Sequence, residues 1–228
     1  MEKLDVVYLV RHGKNEELRY SIRSLVNIPH KDVYIVGHKP DWAITKHIKT
    51  KQNESPFTNT ANNLKAACLS KDISSDFILM NDDFFIMKPL KSMQTYHRGT
   101  YKEVLKNTKS YSAYTRNMGR TQKLLEGMGY ENPLCYELHI PIVINKTKML
   151  EALKLVESTV SKFNKRSLYA NMAGIGGRKM KSDVKVTDVK QAPPRTTFVS
   201  TTETSFNLGK VGNKIRNKFT ERSVYEKE

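Results

Sequence analysis

Phe77-Ile78-Leu79-Met80-Asn81-Asp82-Asp83-Phe84-Phe85-Ile86 is the stretch whose reading decides the fold: an apolar run, three polar side chains rich in oxygen, then an apolar run again. A short continuous apolar run marks a strand buried on both faces, as in parallel sheets packed between helices. Carboxylates at the exit of such a strand are costly unless a cation compensates them, and a divalent metal carrying phosphate oxygens meets that need. The local alternative is that Asp82 and Asp83 cap the turn that follows.

Working outward, Leu4 to Val10 is a second valine-rich buried strand, and Asn15 with Glu16-Glu17 reads as the start of a helix whose Leu18, Ile22 and Leu25 share one face. Val33 to Gly37 and Ile44 to Ile48 read as strands, and Asn59 to Lys71 as a helix burying Leu64, Ala67 and Cys68. The alternation gives an α/β chain with a mostly parallel sheet flanked by helices. Beyond it the spacing predicts a helix over 111–128, a strand from Leu138 to Ile144 and a helix from Lys146 to Val156. Gly174-Ile175-Gly176-Gly177 is a loop that is flexible or closely approached by another backbone, and Lys185-Val186-Thr187 is a last short strand. Residues 1–190 therefore read as a single catalytic-size domain. Residues 191–228 read as a Pro/Thr-rich connector followed by an amphipathic helix on Leu208, Val211, Ile215 and Phe219.

The 228 residues contain no apolar run near the roughly 20 residues of a membrane span. The Met1-Glu2-Lys3-Leu4-Asp5 start lacks the apolar core of a secretory signal, and Cys68 and Cys135 sit in apolar contexts, so a cytosolic compartment with reduced thiols is expected. Neither a zinc spacing nor a phosphate-binding Gly-Lys-Ser/Thr loop is present. The formal charge is +16, and it is uneven: residues 1–100 hold 15 Lys/Arg against 11 Asp/Glu, net +4, and residues 101–228 hold 24 against 12, net +12. A polyanion is drawn to the second half, unless the lysines serve solubility alone. Lys165, Arg166, Arg178, Lys179, Lys181, Lys185, Lys190 and Arg195 crowd together there against Asp183 and Asp188, with Tyr169 and Phe198 nearby to stack on a base.

In an open α/β sheet ligands collect at the carboxyl ends of parallel strands, so the Arg11-His12-Gly13-Lys14 loop and Asn81-Asp82-Asp83 are expected to line one cleft. Asp5-Val6-Val7-Tyr8, the block Glu16 to Ser24, Phe57 to Asn63, Phe77 to Phe85 and His139-Ile140-Pro141 occur in an order that resembles the Stealth family of sugar-phosphate transferases. More broadly it resembles the GT-A glycosyltransferases, including phage enzymes that glycosylate hydroxymethylated DNA bases and the base J glucosyltransferases. The chain departs from Stealth after its first strand, where Leu9-Val10-Arg11-His12-Gly13 stands in place of a Trp-Val-Asp-Gly type motif, and this favours plain glycosyl transfer over sugar-phosphate transfer.

The resemblance implies a GT-A fold, a nucleotide-diphosphate sugar such as a UDP-sugar as donor, and manganese or magnesium as cofactor. Under it, Asp83 with Asp82 or Asn81 supplies metal oxygens, and His139 completes the metal shell or is a core histidine. Strand alternation puts Glu137 on the face of His139, as a base toward an acceptor hydroxyl or as a structural ion pair. Arg11, His12, Asn62 and Asn81 are candidate donor contacts. Arg19 and Arg23 suit the diphosphate, or else balance Glu16 and Glu17. Asp82 and Glu137 are the candidate catalytic carboxylates. With the basic second half, the expected acceptor is a hydroxymethyl pyrimidine in DNA. A Stealth-like transfer to a surface polysaccharide and a non-catalytic nucleic-acid-binding module are the alternatives.

Overall fold

The computed structural model describes residues 3–52, 55–108 and 112–227. Its first half runs β1 (Leu4–Val10), α1 (Glu16–Arg23), β2 (His30–Gly37), β3 (Lys46–Ile48), α2 (Pro56–Leu69), β4 (Asp76–Met80), β5 (Phe84–Ile86) and β6 (Tyr96–His97). Then follow α3 (Tyr101–Lys106), α4 (Ala113–Gly127), β7 (Ile142–Asn145), α5 (Lys146–Leu155) and α6 (Lys165–Met172). The chain closes with β8 (Arg178–Lys179), β9 (Lys185–Val186), β10 (Phe198–Thr201), α7 (Glu203–Leu208) and α8 (Lys210–Lys218).

The main sheet has the order β3-β2-β1-β4-β7. Its first four strands are parallel and β7 runs antiparallel at the edge, so the expected mostly parallel α/β architecture is the one observed. β1 lies between β2 and β4 and is buried on both faces, which is why its sequence is nearly all apolar. Alternation then sorts its side chains. Val7 joins the core under α2, α5 and α6 with Val36, Phe77 and Leu79, and Val6, Tyr8 and Val10 join the opposite core with Leu18, Ile22, Ile35 and Ile78. Burying each such aliphatic side chain contributes about 1.5–3 kcal/mol.

Local chemistry moved several boundaries. α2 begins at Pro56 rather than Asn59, because Ser55 caps the amide of Thr58 and proline is pre-set for a first helical turn. The expected helix over 111–128 is α4, and Tyr111 lies outside the described residues. The expected strand from Leu138 shrinks to Ile142–Asn145: the carbonyls of Leu138 and Ile140 accept from the Arg166 guanidinium at 2.9 and 2.6 Å instead of from a neighbouring strand. Gly177 meets the close-approach expectation. With φ at 122°, a Cβ there would fall 2.7 Å from the Thr95 carbonyl oxygen, beside the β6–β8 pairing.

The segment after residue 190 is more than a connector. β10 pairs antiparallel with β5 and parallel with β9, and α7 and α8 close a third small core of Phe85, Val186, Val199, Phe206, Val211 and Ile215. Leu208, expected on the buried helix face, is exposed at the end of α7. Cys68 and Cys135 are unpaired and buried, and their thiols are pushed up to about 12 by desolvation. Among the described residues no helix is long and apolar enough to cross a membrane.

Candidate functional site

Three parallel strands end on one side of the sheet: β1 at Val10, β2 at Gly37 and β4 at Met80. The amide of His38 donates to the Val10 carbonyl at 3.0 Å and the His12 and His38 rings lie 4.6 Å apart, so the first two loops are held together. Asn15 starts α1 without a side-chain cap: it is left-handed, at φ 48°, and its side-chain Nδ2 donates to the Arg11 carbonyl at 2.8 Å, shaping the first loop. Two cavities open here, of about 330 and 340 Å³, and Arg11, His12 and Asp82 line both. The first also includes Asn59, Asn63 and Asn81; the second includes Lys14, Glu17 and Asn207. The expected convergence of the first loop and the Asn81-Asp82-Asp83 turn is thus present.

The acids there differ in their surroundings. Asp82 is half-buried, and desolvation, with the neighbouring Asp83 charge, lifts it to about 6 against the pull of Arg11. Glu17 rises to about 7, chiefly by desolvation and also through Asp82 and Asp83, although the Thr201 hydroxyl donates to it at 2.6 Å. Asp83 is answered directly: Lys185 Nζ lies 3.0 Å and Ser200 Oγ 2.9 Å from its Oδ2. Glu17, Ser200 and Thr201 were not singled out from the sequence. Glu17 looked like an ordinary first-turn acid, and the two hydroxyls were hidden in a stretch whose Pro, Thr and Ser content reads as linker.

His139 sits in a bend, not on a strand, next to Phe84, with ring centroids 6.3 Å apart. Asp183 grips it twice, through the backbone amide at 3.0 Å and through Nδ1 at 2.6 Å. Burial alone would raise Asp183, but these His139 hydrogen bonds hold its carboxyl below the ordinary carboxylate range. Glu137 does not share the histidine's surroundings: the backbone there is irregular and strand alternation does not apply. It is 8% exposed, with Oε1 accepting from the Ser167 amide and hydroxyl and Oε2 from Tyr114. Both its oxygens are thus engaged by interior partners, and it lines neither cavity.

Other expected contacts are placed elsewhere. Arg19 and Arg23 line neither cavity: both bind Glu226, which is buried, at 3.1 and 2.8 Å, and Arg19 stacks over Trp42. Asn62 faces a groove with Lys65, Leu69 and Leu150, on the side of α2 away from Asn59 and Asn63. Asn63 faces the cleft and is fixed by Thr50, Gln52 and the Val36 carbonyl. Lys165 is buried, Arg166 is turned inward onto backbone carbonyls, and Lys185 faces Asp83, so these three do not belong to an outer basic surface. Tyr169 and Phe198 are core residues and cannot stack on a base. Arg178, Lys179 and Lys181 are exposed, with Lys179 paired to Glu103.

A divalent cation needs several oxygen or nitrogen donors at one point. Asp83 Oδ2 is held by Lys185 and Ser200, and His139 Nδ1 by Asp183. Among the described residues no group of three or more His, Cys, Asp or Glu side chains is arranged to hold a metal ion. The protein's own side chains therefore do not fit the expected metal shell of Asp83 and His139.

Neither a family model nor a curated protein matches the sequence. Among solved structures, the chain is similar to the apo form of the glycosyltransferase GlyE of Streptococcus pneumoniae TIGR4 (11% identity, TM-score 0.41), covering 78% of this chain and 45% of that one. A second GlyE structure gives 11% identity and a TM-score of 0.39, covering 96% and 50%. An active-site mutant of LgtC gives 11% and 0.44, covering 77% and 72%. The chain thus spans about half the length of GlyE.

Proposed function

We propose that this chain is a glycosyltransferase that binds a nucleotide-diphosphate sugar at the carboxyl ends of β1, β2 and β4 and moves the sugar to an acceptor hydroxyl. The observation that carries the reading is the meeting of the Arg11-His12 loop with the Asn81-Asp82-Asp83 turn around two adjoining cavities. The order of GT-A-like and Stealth-like sequence blocks supports it. The nucleoside lies in the cavity of Asn59 and Asn63, and the diphosphate meets Arg11 and Lys14, whose cations suit phosphate oxygens. Asp82, facing both cavities, accepts from the sugar hydroxyls. With Nδ1–H given to Asp183, His139 keeps Nε2 as an acceptor, and it takes the role expected of Glu137 as base toward the incoming hydroxyl. A divalent metal, if bound, would neutralise the departing diphosphate.

The acceptor carried over from the sequence is a hydroxymethyl pyrimidine in DNA. Its remaining support is the exposed set Arg178, Lys181, Lys190 and Arg195, since Lys165, Arg166, Lys185 and both aromatics are turned inward and Lys179 is paired with Glu103. The test is incubation with a panel of nucleotide sugars and hydroxymethylated DNA, followed by nucleoside mass spectrometry and identification of the released nucleotide. Release of nucleoside diphosphate with a glycosylated nucleoside is expected. Nucleoside monophosphate would mean sugar-phosphate transfer, and an unchanged nucleoside profile with donor turnover would remove DNA as acceptor. Absence of any donor turnover would sink the enzyme reading.

A further inference from the structure

Asp83 carries a charge on a short turn between two buried strands, and the side chain that answers it comes from far along the sequence. Lys185 opens β9, β9 lies parallel to β10 with Lys185 opposite Ser200, and β10 pairs with β5, the strand that directly follows Asp83. Backbone register, not a mobile surface stem, therefore delivers both the ammonium and the Ser200 hydroxyl to the same carboxylate oxygen, at 3.0 and 2.9 Å. The pair is sheltered: the Lys185 side chain is 27% exposed and that of Asp83 15%. Sheltered ions cost desolvation, so a pair held this way is a costly ornament unless the charge has a use. An ammonium is a compact point charge with three donors, suited to a phosphate oxygen as well as to a carboxylate.

We propose that Lys185 is the built-in cation of this site: it holds Asp83 and, with Arg11, neutralises the donor's diphosphate, so that nucleotide binding requires no divalent metal. This rests on the nucleotide-sugar reading above. A dication arriving at Asp83 has to displace or tolerate the ammonium, so removing that charge opens the site to metal.

Manganese binding, followed by electron paramagnetic resonance on the full chain without nucleotide, compares wild type with Lys185→Gln and Lys185→Arg, each checked by thermal melting. Lys185→Gln is expected to bind manganese at least about tenfold tighter than the other two, a difference well within calorimetric and spectroscopic reach. Calorimetry with the four ribonucleoside diphosphates in EDTA is the second arm. Wild type is expected to bind at least one as well in EDTA as in magnesium, and Lys185→Gln to lose about tenfold in EDTA. If Lys185→Gln fails to fold, Lys185→Met is read in the same way. Equal manganese affinity in all three proteins, or nucleotide binding by wild type that EDTA abolishes, overturns the proposal. If no form binds any nucleotide, it is the nucleotide-sugar reading that falls, and the manganese comparison judges Lys185 alone.

Discussion

At the scale of single residues, the site is a set of acids whose partners decide their roles. Asp183 is bound to His139 at two points, which fixes the ring's tautomer and direction, so under the proposed function it is a positioning residue. Asp183→Asn is expected to lower kcat about 10²-fold, near the low end of what general-base catalysis contributes, with little change in donor KM and with an altered pH–rate profile. Asp183→Glu partly restoring the profile would bear this out, and a loss confined to thermal stability would count against it. The acids at Asp82 and Asp83 were legible in the sequence because polar groups interrupting an apolar run are conspicuous. Their partners were not. Lys185 and Ser200 lie 102 and 117 residues from Asp83, and the basic cluster that contains Lys185 has the same composition whether its members face water or a carboxylate.

At the scale of elements, what could be read depended on burial on two faces. β1 and β4 declared themselves because sheet neighbours and helices on either side leave them few polar positions, Asp5 and Asp76 near their starts being the exceptions, whereas β10 was lost among threonines and prolines. Leu138 and Ile140 alternate as a strand would, yet a guanidinium satisfies their carbonyls and the ladder starts only after Pro141. The last amphipathic helix was legible from Val211 and Ile215 and is α8, whereas α7 could be placed only by packing. Gly212 in α8 lies so close to α7 that a Cβ would fall 1.7 Å from the Phe206 carbonyl oxygen. Gly212→Ala is therefore expected to cost about 1–3 kcal/mol as an overpacking change, visible as a lower denaturant midpoint with an unchanged m-value. No measurable shift would mean that the two helices are not in this contact.

At the scale of the whole molecule, the last described residues are fastened to the first helix. Glu226, 6% exposed, receives Arg19 and Arg23 of α1, and the Ser223 amide besides, while Ala43 and Glu226 form an antiparallel bridge. Burial alone would raise the Glu226 carboxyl; the Arg23 hydrogen bonds overcome it and hold it below the ordinary range. A carboxylate depressed in the folded state stabilises the protein above its unfolded pKa, about 4.3, and that contribution is lost as pH falls through the folded value. Glu226→Gln is expected to cost about 2 kcal/mol at pH 7, the scale of a hydrogen bond to a charged group, and to cost less at pH 3. Melting curves at the two pH values check it; an equal loss at both would point to packing in place of charge. The same fastening sets an order on biosynthesis. Arg23 leaves the ribosome long before its partner 203 residues later, and Asp83 and Glu17 wait 102 and 184 residues for Lys185 and Thr201. A nascent chain thus carries the main sheet, complete once β7 is made, before it carries the side chains that answer Asp83 and Glu17.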